Sequence, residues 1–223
     1  RVYDYFLGGK DNFAIDRQAA EHLLQAFPGF RTAALSNRMW MHRAAKYAAE
    51  QGITQFLDVG TGIPTEPNLH EVVQEIVPSA HVVYADNDPL VLRYAERLMR
   101  STPQGRTTYI EADVNNADAL LNAPELAEVL DTGRPVALSL NALMHFVTDA
   151  QDPYGIVSRL LAELPSGSAL ALSHCTPDFD PDTWQKVTDI YTGAGTPVQF
   201  RTIRAPSSGS RSTGACISRT TGA

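Results

Sequence analysis

Between residues 55 and 173, short runs of β-forming residues alternate with segments whose apolar residues recur at helical spacing. The runs at 55–59, 81–85, 107–111, 135–140 and 168–172 read as strands. The segment after the first is apolar at Leu69, Val72, Val73 and Ile76, positions i, i+3, i+4 and i+7 of one helix face. Val91, Tyr94, Ala95 and Leu98 repeat the stripe, and Val157, Leu160, Leu161 and Leu164 repeat it again. Consecutive parallel strands need a long crossover, and a helix supplies it with right-handed connectivity. The chain is therefore expected to be an α/β protein with a mostly parallel central sheet.

Asp88-Pro89, Asp152-Pro153 and Asp180-Pro181 each set a carboxylate at an N-cap and a proline at the first helical position. Capping gives these three aspartates a structural reason to exist. Two helices, about 16–27 and 37–51, precede the first strand, the second stopped by Gly52. Ahead of them, residues 1–13 lack periodicity but carry Tyr3, Tyr5, Phe6 and Phe13, which mark an ordered segment packed on the domain. Residues 206–223 are rich in Ser, Thr, Gly and Arg and show neither a strand nor a helix pattern. The expected organisation is one domain over 1–205, with an N-terminal helical or lid segment (1–52), a core (53–205), and an atypical tail (206–223).

A length of 223 residues suffices for one large domain with a substantial core. The formal net charge of −7 repels phosphate backbones, so no nucleic-acid partner is expected. No apolar run approaches the roughly 18 residues that span a bilayer, and no secretory pattern opens the chain. Cys175 and Cys216 form neither a disulfide framework nor a structural zinc motif. A cytoplasmic protein without a membrane partner is expected; the oligomeric state is not legible.

The first strand runs into Asp58-Val59-Gly60-Thr61-Gly62. A glycine turn between a parallel strand and a helix can leave backbone N–H groups facing a ligand, and dinucleotides and S-adenosylmethionine both use such turns. The dinucleotide fingerprint G-x-G-x-x-G fails here, because the third glycine position is Thr65. Asp58 would also repel a pyrophosphate, whereas S-adenosylmethionine carries an ammonium and a sulfonium. Opposite charges about 4 Å apart gain on the order of 4 kcal/mol at an effective dielectric near 20, before desolvation. Asp86 ends the second strand, where a carboxylate can accept two ribose hydroxyls. Asp113 follows the third, where it can accept an adenine amino group while the Val114 N–H donates to a ring nitrogen.

Several motifs share one resemblance: Arg1-Val2-Tyr3-Asp4-Tyr5-Phe6-Leu7-Gly8-Gly9-Lys10-Asp11-Asn12-Phe13; residues 55–65 around the glycine turn; Tyr84-Ala85-Asp86-Asn87-Asp88-Pro89; Asp113; and Leu143-Met144-His145-Phe146. Over about residues 1–202 the chain resembles the class I methyltransferases. More narrowly, it is similar to an S-adenosylmethionine-dependent family of actinobacterial type, formerly a domain of unknown function. The resemblance implies a Rossmann-like class I methyltransferase fold with helices on both faces of the sheet. The implied cofactor is S-adenosyl-L-methionine, converted to S-adenosyl-L-homocysteine. It further implies that Asp58, Gly60 and Gly62 contact the methionine moiety, Asp86 with Asn87 the ribose, and Asp113 with Val114 the adenine. Asn141 and Ala142 would bracket the sulfonium, and Tyr5 and Asn12 would belong to a lid. Members continue after about Thr202 with an amphipathic helix and a closing strand pair; residues 206–223 show neither, so incomplete carboxyl-terminal strands are expected.

Methyl transfer is an in-line displacement in which orientation and a desolvated site supply most of the help. A general base is needed only if the acceptor must lose a proton. His145 and His174, after the fourth and fifth strands, are the candidates. Met39, Trp40 and Met41 either line an acceptor pocket or pack the core. No metal-ligand spacing is present. The leading reading is methyl transfer to a small-molecule acceptor; a non-catalytic S-adenosylmethionine sensor and a nicotinamide oxidoreductase are the alternatives.

Overall fold

The computed structural model describes residues 1–98, 100–203 and 215–219, with backbone only for 92, 96–98 and 215–219. Three helices come first: α1 (Val2–Phe6), α2 (Ala14–Ala26) and α3 (Phe30–Glu50). The strand–helix alternation follows as β1 (Gln55–Val59), α4 (Leu69–Gln74), β2 (His81–Asp86), α5 (Pro89–Leu98), β3 (Arg106–Glu111), α6 (Ala117–Leu121) and α7 (Pro124–Val129). It continues as β4 (Ala137–Asn141), α8 (Pro153–Ala162), β5 (Ala169–Ser173), α9 (Pro181–Gly193) and β6 (Ala215–Arg219). The sheet order is β3-β2-β1-β4-β5-β6. The first five strands are parallel and β6 is antiparallel to β5. This is the expected α/β Rossmann-like architecture.

Side chains alternate across the strands, so each sheet face has its own core. Leu57, Val59, Val83, Ala85, Ile110, Leu138 and Leu140 pack on one face against residues of α6, α7 and α8, among them Leu120, Leu126 and Leu160. Phe56, Val82, Tyr84, Ala137 and Ala169 pack on the other against Met41, Ala45, Ala48 and Ala49 of α3 and Leu69 and Val73 of α4. Small alanines on α3 let the helix approach the sheet closely. A third cluster joins α1, α2 and α9 around Phe6, Leu23 and Val187, with Phe27, Phe30, Trp184 and Phe200 against them.

The three aspartate–proline starts cap as expected. Asp88 accepts from the Leu90 N–H, Asp152 from Gly155 and Asp180 from Thr183. Of the second expected stripe, Val91 and Ala95 are buried; Leu98 lies outside the described side chains. Most strand and helix ends shift by one or two residues from expectation, and two differences are larger. The helix expected from residue 37 begins at Phe30, because the break falls at Pro28-Gly29 and the mixed apolar and polar turns after it are helical too. Within the tail expected to lack secondary structure, Ala215–Arg219 forms β6 on the open edge of β5. Edge pairing is made by main-chain groups, so five residues can join a sheet without a readable side-chain alternation. The rest of that tail, 206–214 and 220–223, lies outside the described residues. Among the described residues, no helix is long and apolar enough to cross a membrane.

Candidate cofactor site

The chain winds outward from β1 to β2 and β3, then returns to place β4 on the other side of β1. Open α/β sheets form a ligand crevice at such a reversal, beyond the carboxyl ends of the strands. Asp58 pairs in register with Tyr84 on β2 and Ser139 on β4. Period-two alternation then sets Asp58, Asp86, Ser139, Asn141 and Ser173 on the sheet face that carries α3 and α4.

Asp58 is 6% exposed. One carboxylate oxygen accepts from the Ser139 hydroxyl at 2.6 Å and the other from Thr61 at 2.7 Å. Burial raises its pKa, while these hydroxyls and the charge of Arg38 work against the rise. The Asn141 amide donates to Ser139 Oγ at 2.5 Å. With Asp58 ionised, the directions are fixed: Asn141 Nδ2–H to Ser139 Oγ, then Ser139 O–H to Asp58. Asn141 Oδ1 is left over, buried and without a partner among the described residues. The next residue, Ala142, has φ +50°, and its N–H donates to Ser173 Oγ at 2.9 Å. This left-handed turn pins the exit of β4 to the tip of β5.

The glycine turn differs from its sequence reading. The Gly60 N–H donates to the Ala85 carbonyl at 2.8 Å, with that of Thr61 at 3.4 Å from the same oxygen, and the Gly62 N–H donates to Asp86 Oδ2 at 2.8 Å. Gly60 and Gly62 have φ of +74° and +68°, which fold these amides back onto β2 instead of toward a ligand. A Cβ on Gly60 would also stand 2.6 Å from the Leu143 side chain. α4 begins seven residues after Gly62, and the Glu71 carboxylate occupies its first turn by accepting from the Asn68 N–H. A pyrophosphate would find these amides satisfied and a carboxylate at the helix start. The dinucleotide alternative loses its physical basis.

Asp86 also accepts from the Asp88 N–H at 2.9 Å. Burial raises its pKa, and the Asp88 and Gly62 amides oppose that. Asp86 and Asp58 are near enough that the charge of Asp86 raises Asp58 further. Asn87 is exposed. Asp113 stands apart from this pair. It is exposed at the exit of β3 and closes a turn by accepting from the backbone and side chain of Asn115, at 2.9 and 2.8 Å. Val114 beside it is buried.

Within the N-terminal segment, Asn12 is committed internally. Its amide donates to Asp4 at 2.7 Å and to the Gly9 carbonyl at 3.0 Å, and its oxygen accepts from Arg17. Tyr5 lies against Phe6 and under the Arg31 guanidinium. Arg1 and Tyr3 tie the segment to the domain, Arg1 just past the end of β2 and Tyr3 on α3. Arg1 pairs with Asp88 at 2.9 Å, and Tyr3 accepts from Asn37 and donates to the Ala34 carbonyl.

His145 is buried, with Nδ1 unpartnered, among the rings of Phe146, His174 and Phe200. Burial, then the nearby His174 and Arg201, push its pKa down to about 3, so it is neutral at pH 7. His174 Nε2 lies 3.2 Å from Arg201 Nη1, which can only donate. Its Nδ1 therefore carries the proton and donates to the Cys175 carbonyl at 2.6 Å. Both nitrogens of His174 are engaged. Met39 is exposed; Met41 is buried in the α3 core, where it also lines a cavity with Ser139 and Asn141, and Trp40 packs against the same cluster.

A family model described as S-adenosyl methyltransferase matches residues 1–207. The chain belongs to this family. It is an S-adenosylmethionine-dependent methyltransferase. Among solved structures it is similar to a DUF574 family protein from Streptomyces avermitilis MA-4680, at 48% identity and a TM-score of 0.88, over 91% of this chain and 78% of that one. A candidate methyltransferase from Thermobifida fusca YX is 35% identical with a TM-score of 0.81, over 91% and 75% of the two chains. An O-methyltransferase family protein from Burkholderia thailandensis shares the fold at 13% identity and a TM-score of 0.52, over 87% and 59%. No protein of curated function matches.

Ser139, Thr61 and Arg38 belong to the site neighbourhood and were not singled out from sequence. Ser139 is a hydroxyl within an apolar strand, a signal that points inward only once β4 is known to flank β1. Arg38 lies twenty residues before Asp58 on a helix whose facing is not set by spacing alone.

Proposed function

We propose that the carboxyl edge of β1, β2 and β4 holds S-adenosylmethionine and presents its methyl to a small-molecule acceptor. Asp58 and Asn141 take the methionine end against the Cβ-free backbone of Gly60 and Gly62, with Ala142 beside the sulfonium. Asp86, flanked by Asn87, takes the ribose. Asp113 and the Val114 N–H take the adenine. The observation that carries this reading is the unpartnered Asn141 Oδ1 next to the Asp58 network. A buried acceptor without a donor costs about 1–3 kcal/mol. An ammonium, rich in N–H donors and cationic, relieves that cost and favours ionised Asp58; a phosphate does neither.

Bound there, the cofactor supplies an activated methyl on a positively charged sulfur. The chain's own residues orient it and exclude water. Neutral His145 is too weak a base at a pKa of about 3, and His174 is held by Arg201 and the Cys175 carbonyl. Burial pushes the Cys175 thiol up to about 12, so it is protonated as well. The acceptor therefore brings its own lone pair, as a neutral amine or an already ionised thiol, phenol or carboxylate does.

Release of S-adenosylhomocysteine across a panel of such small acceptors, followed against pH, tests this. Turnover is expected with at least one of them, and its pH profile is expected to be the same in His174→Gln. A pH limb that disappears in His174→Gln, or turnover confined to a macromolecular acceptor, contradicts the reading.

A further inference from the structure

Arg38 projects from α3 toward Asp58, half-buried, yet among the described residues no carboxylate pairs with it. Nη2 donates to the Thr65 carbonyl and to that of Pro67 at 2.9 Å, which occupies both of its hydrogens. The other donors are poorly used. Nη1 reaches the Met41 sulfur at 3.9 Å, and Nε–H is buried with no partner. Burial lowers the Arg38 pKa, and Asp58 is the foremost group holding the charge in place, ahead of Tyr3, Tyr84 and Glu71. Arg38 and Asp58 thus feel each other without forming an ion pair.

A cation with an idle buried N–H is costly unless an anion meets it. Beside it stands the acceptor-only pair of Asp58 and Asn141 Oδ1. The two sets form neighbouring poles of opposite sign. An amino acid presents the complementary pattern, because its ammonium and carboxylate share one carbon. Neither ribose nor adenine needs a fixed cation. We propose that Arg38 anchors the α-carboxylate of the cofactor's amino-acid end through its idle Nε–H; this rests on the cofactor reading above. Arg38 is then a binding residue as well as a tie between α3 and the turn before α4.

The test compares S-adenosylhomocysteine with its decarboxylated analogue, S-adenosyl-3-thiopropylamine, by calorimetric titration of the full chain. Wild type is expected to bind the carboxylate-bearing ligand at least tenfold more tightly. In Arg38→Gln that gap is expected to shrink to within about twofold, with affinity for the analogue unchanged. Arg38→Lys, which keeps the charge, is expected to retain part of the gap. Equal affinities in wild type overturn the assignment without any variant having to fold. A full gap persisting in Arg38→Gln overturns it as well. Wild type that binds neither ligand defeats the cofactor reading itself, which is a separate outcome.

Discussion

Asp58 and His145 show how burial sets protonation here in opposite chemical senses. Asp58 is driven toward its neutral form by burial and kept usable by two hydroxyl donors and a nearby guanidinium. A cationic ligand tips that balance toward the carboxylate. His145 has no such partners, and its folded pKa of about 3 lies far below its ordinary 6.5. As pH falls below 6.5 the unfolded chain gains a proton that the folded chain refuses, so stability is lost toward the folded value. One such group contributes a slope of up to about 1.4 kcal/mol per pH unit. His145→Gln is expected to show a shallower loss than wild type between pH 6.5 and 5, read from denaturant midpoints; parallel curves would place His145 in a wetter environment. Single residues were also where sequence reached furthest. Asp58 and Asp86 could be placed at strand ends and the three caps at helix starts because both have local signatures. Ser139 and Arg38 could not, because their roles arise from neighbours 81 and 20 positions away.

At the scale of elements, α8 tests the capping logic. Asp152 has φ +53° and caps through Gly155. Alanine there loses the cap, worth about 1 kcal/mol, and retains a left-handed backbone that costs roughly 1–2 kcal/mol more. Asp152→Ala is expected to destabilise by about 2 kcal/mol and Asp152→Gly by less than half of that, in denaturant titrations. Equal losses would show that the backbone conformation carries no cost. Helical stripes gave α4, α5 and α8 their inward faces, except at Ile76, which falls past the end of α4 and is exposed. Starts set by backbone were harder, as with α3, whose first turns mix apolar and polar residues. β6 was illegible because its partner is an open strand edge, and an edge accepts many sequences. The N-terminal segment was foreseen as packed, but Arg1 reaches the end of β2 and Tyr3 binds α3, while Asn12 holds the segment to itself.

Across the whole molecule, sheet order creates the site. Placing β4 against the far side of β1 brings Ser139 and Asn141 to Asp58 and leaves an acceptor-rich crevice with the half-buried Arg38 guanidinium at its side. The acidic net charge of −7 agrees with a cationic ligand and disfavours a polyphosphate one. The alternation of strands and stripes made this architecture readable, since parallel pairing leaves few other arrangements. The inward turning of the Gly60, Thr61 and Gly62 amides was hidden, because G-x-G leaves the direction of its N–H groups open. Calorimetric titration of S-adenosylhomocysteine and NADH into wild type and Asp86→Ala tests the crevice most directly. Wild type should bind the former and not the latter, and Asp86→Ala should lose at least tenfold in affinity, about 1.4 kcal/mol. Undiminished affinity in Asp86→Ala, or binding of NADH in place of S-adenosylhomocysteine, would contradict the account.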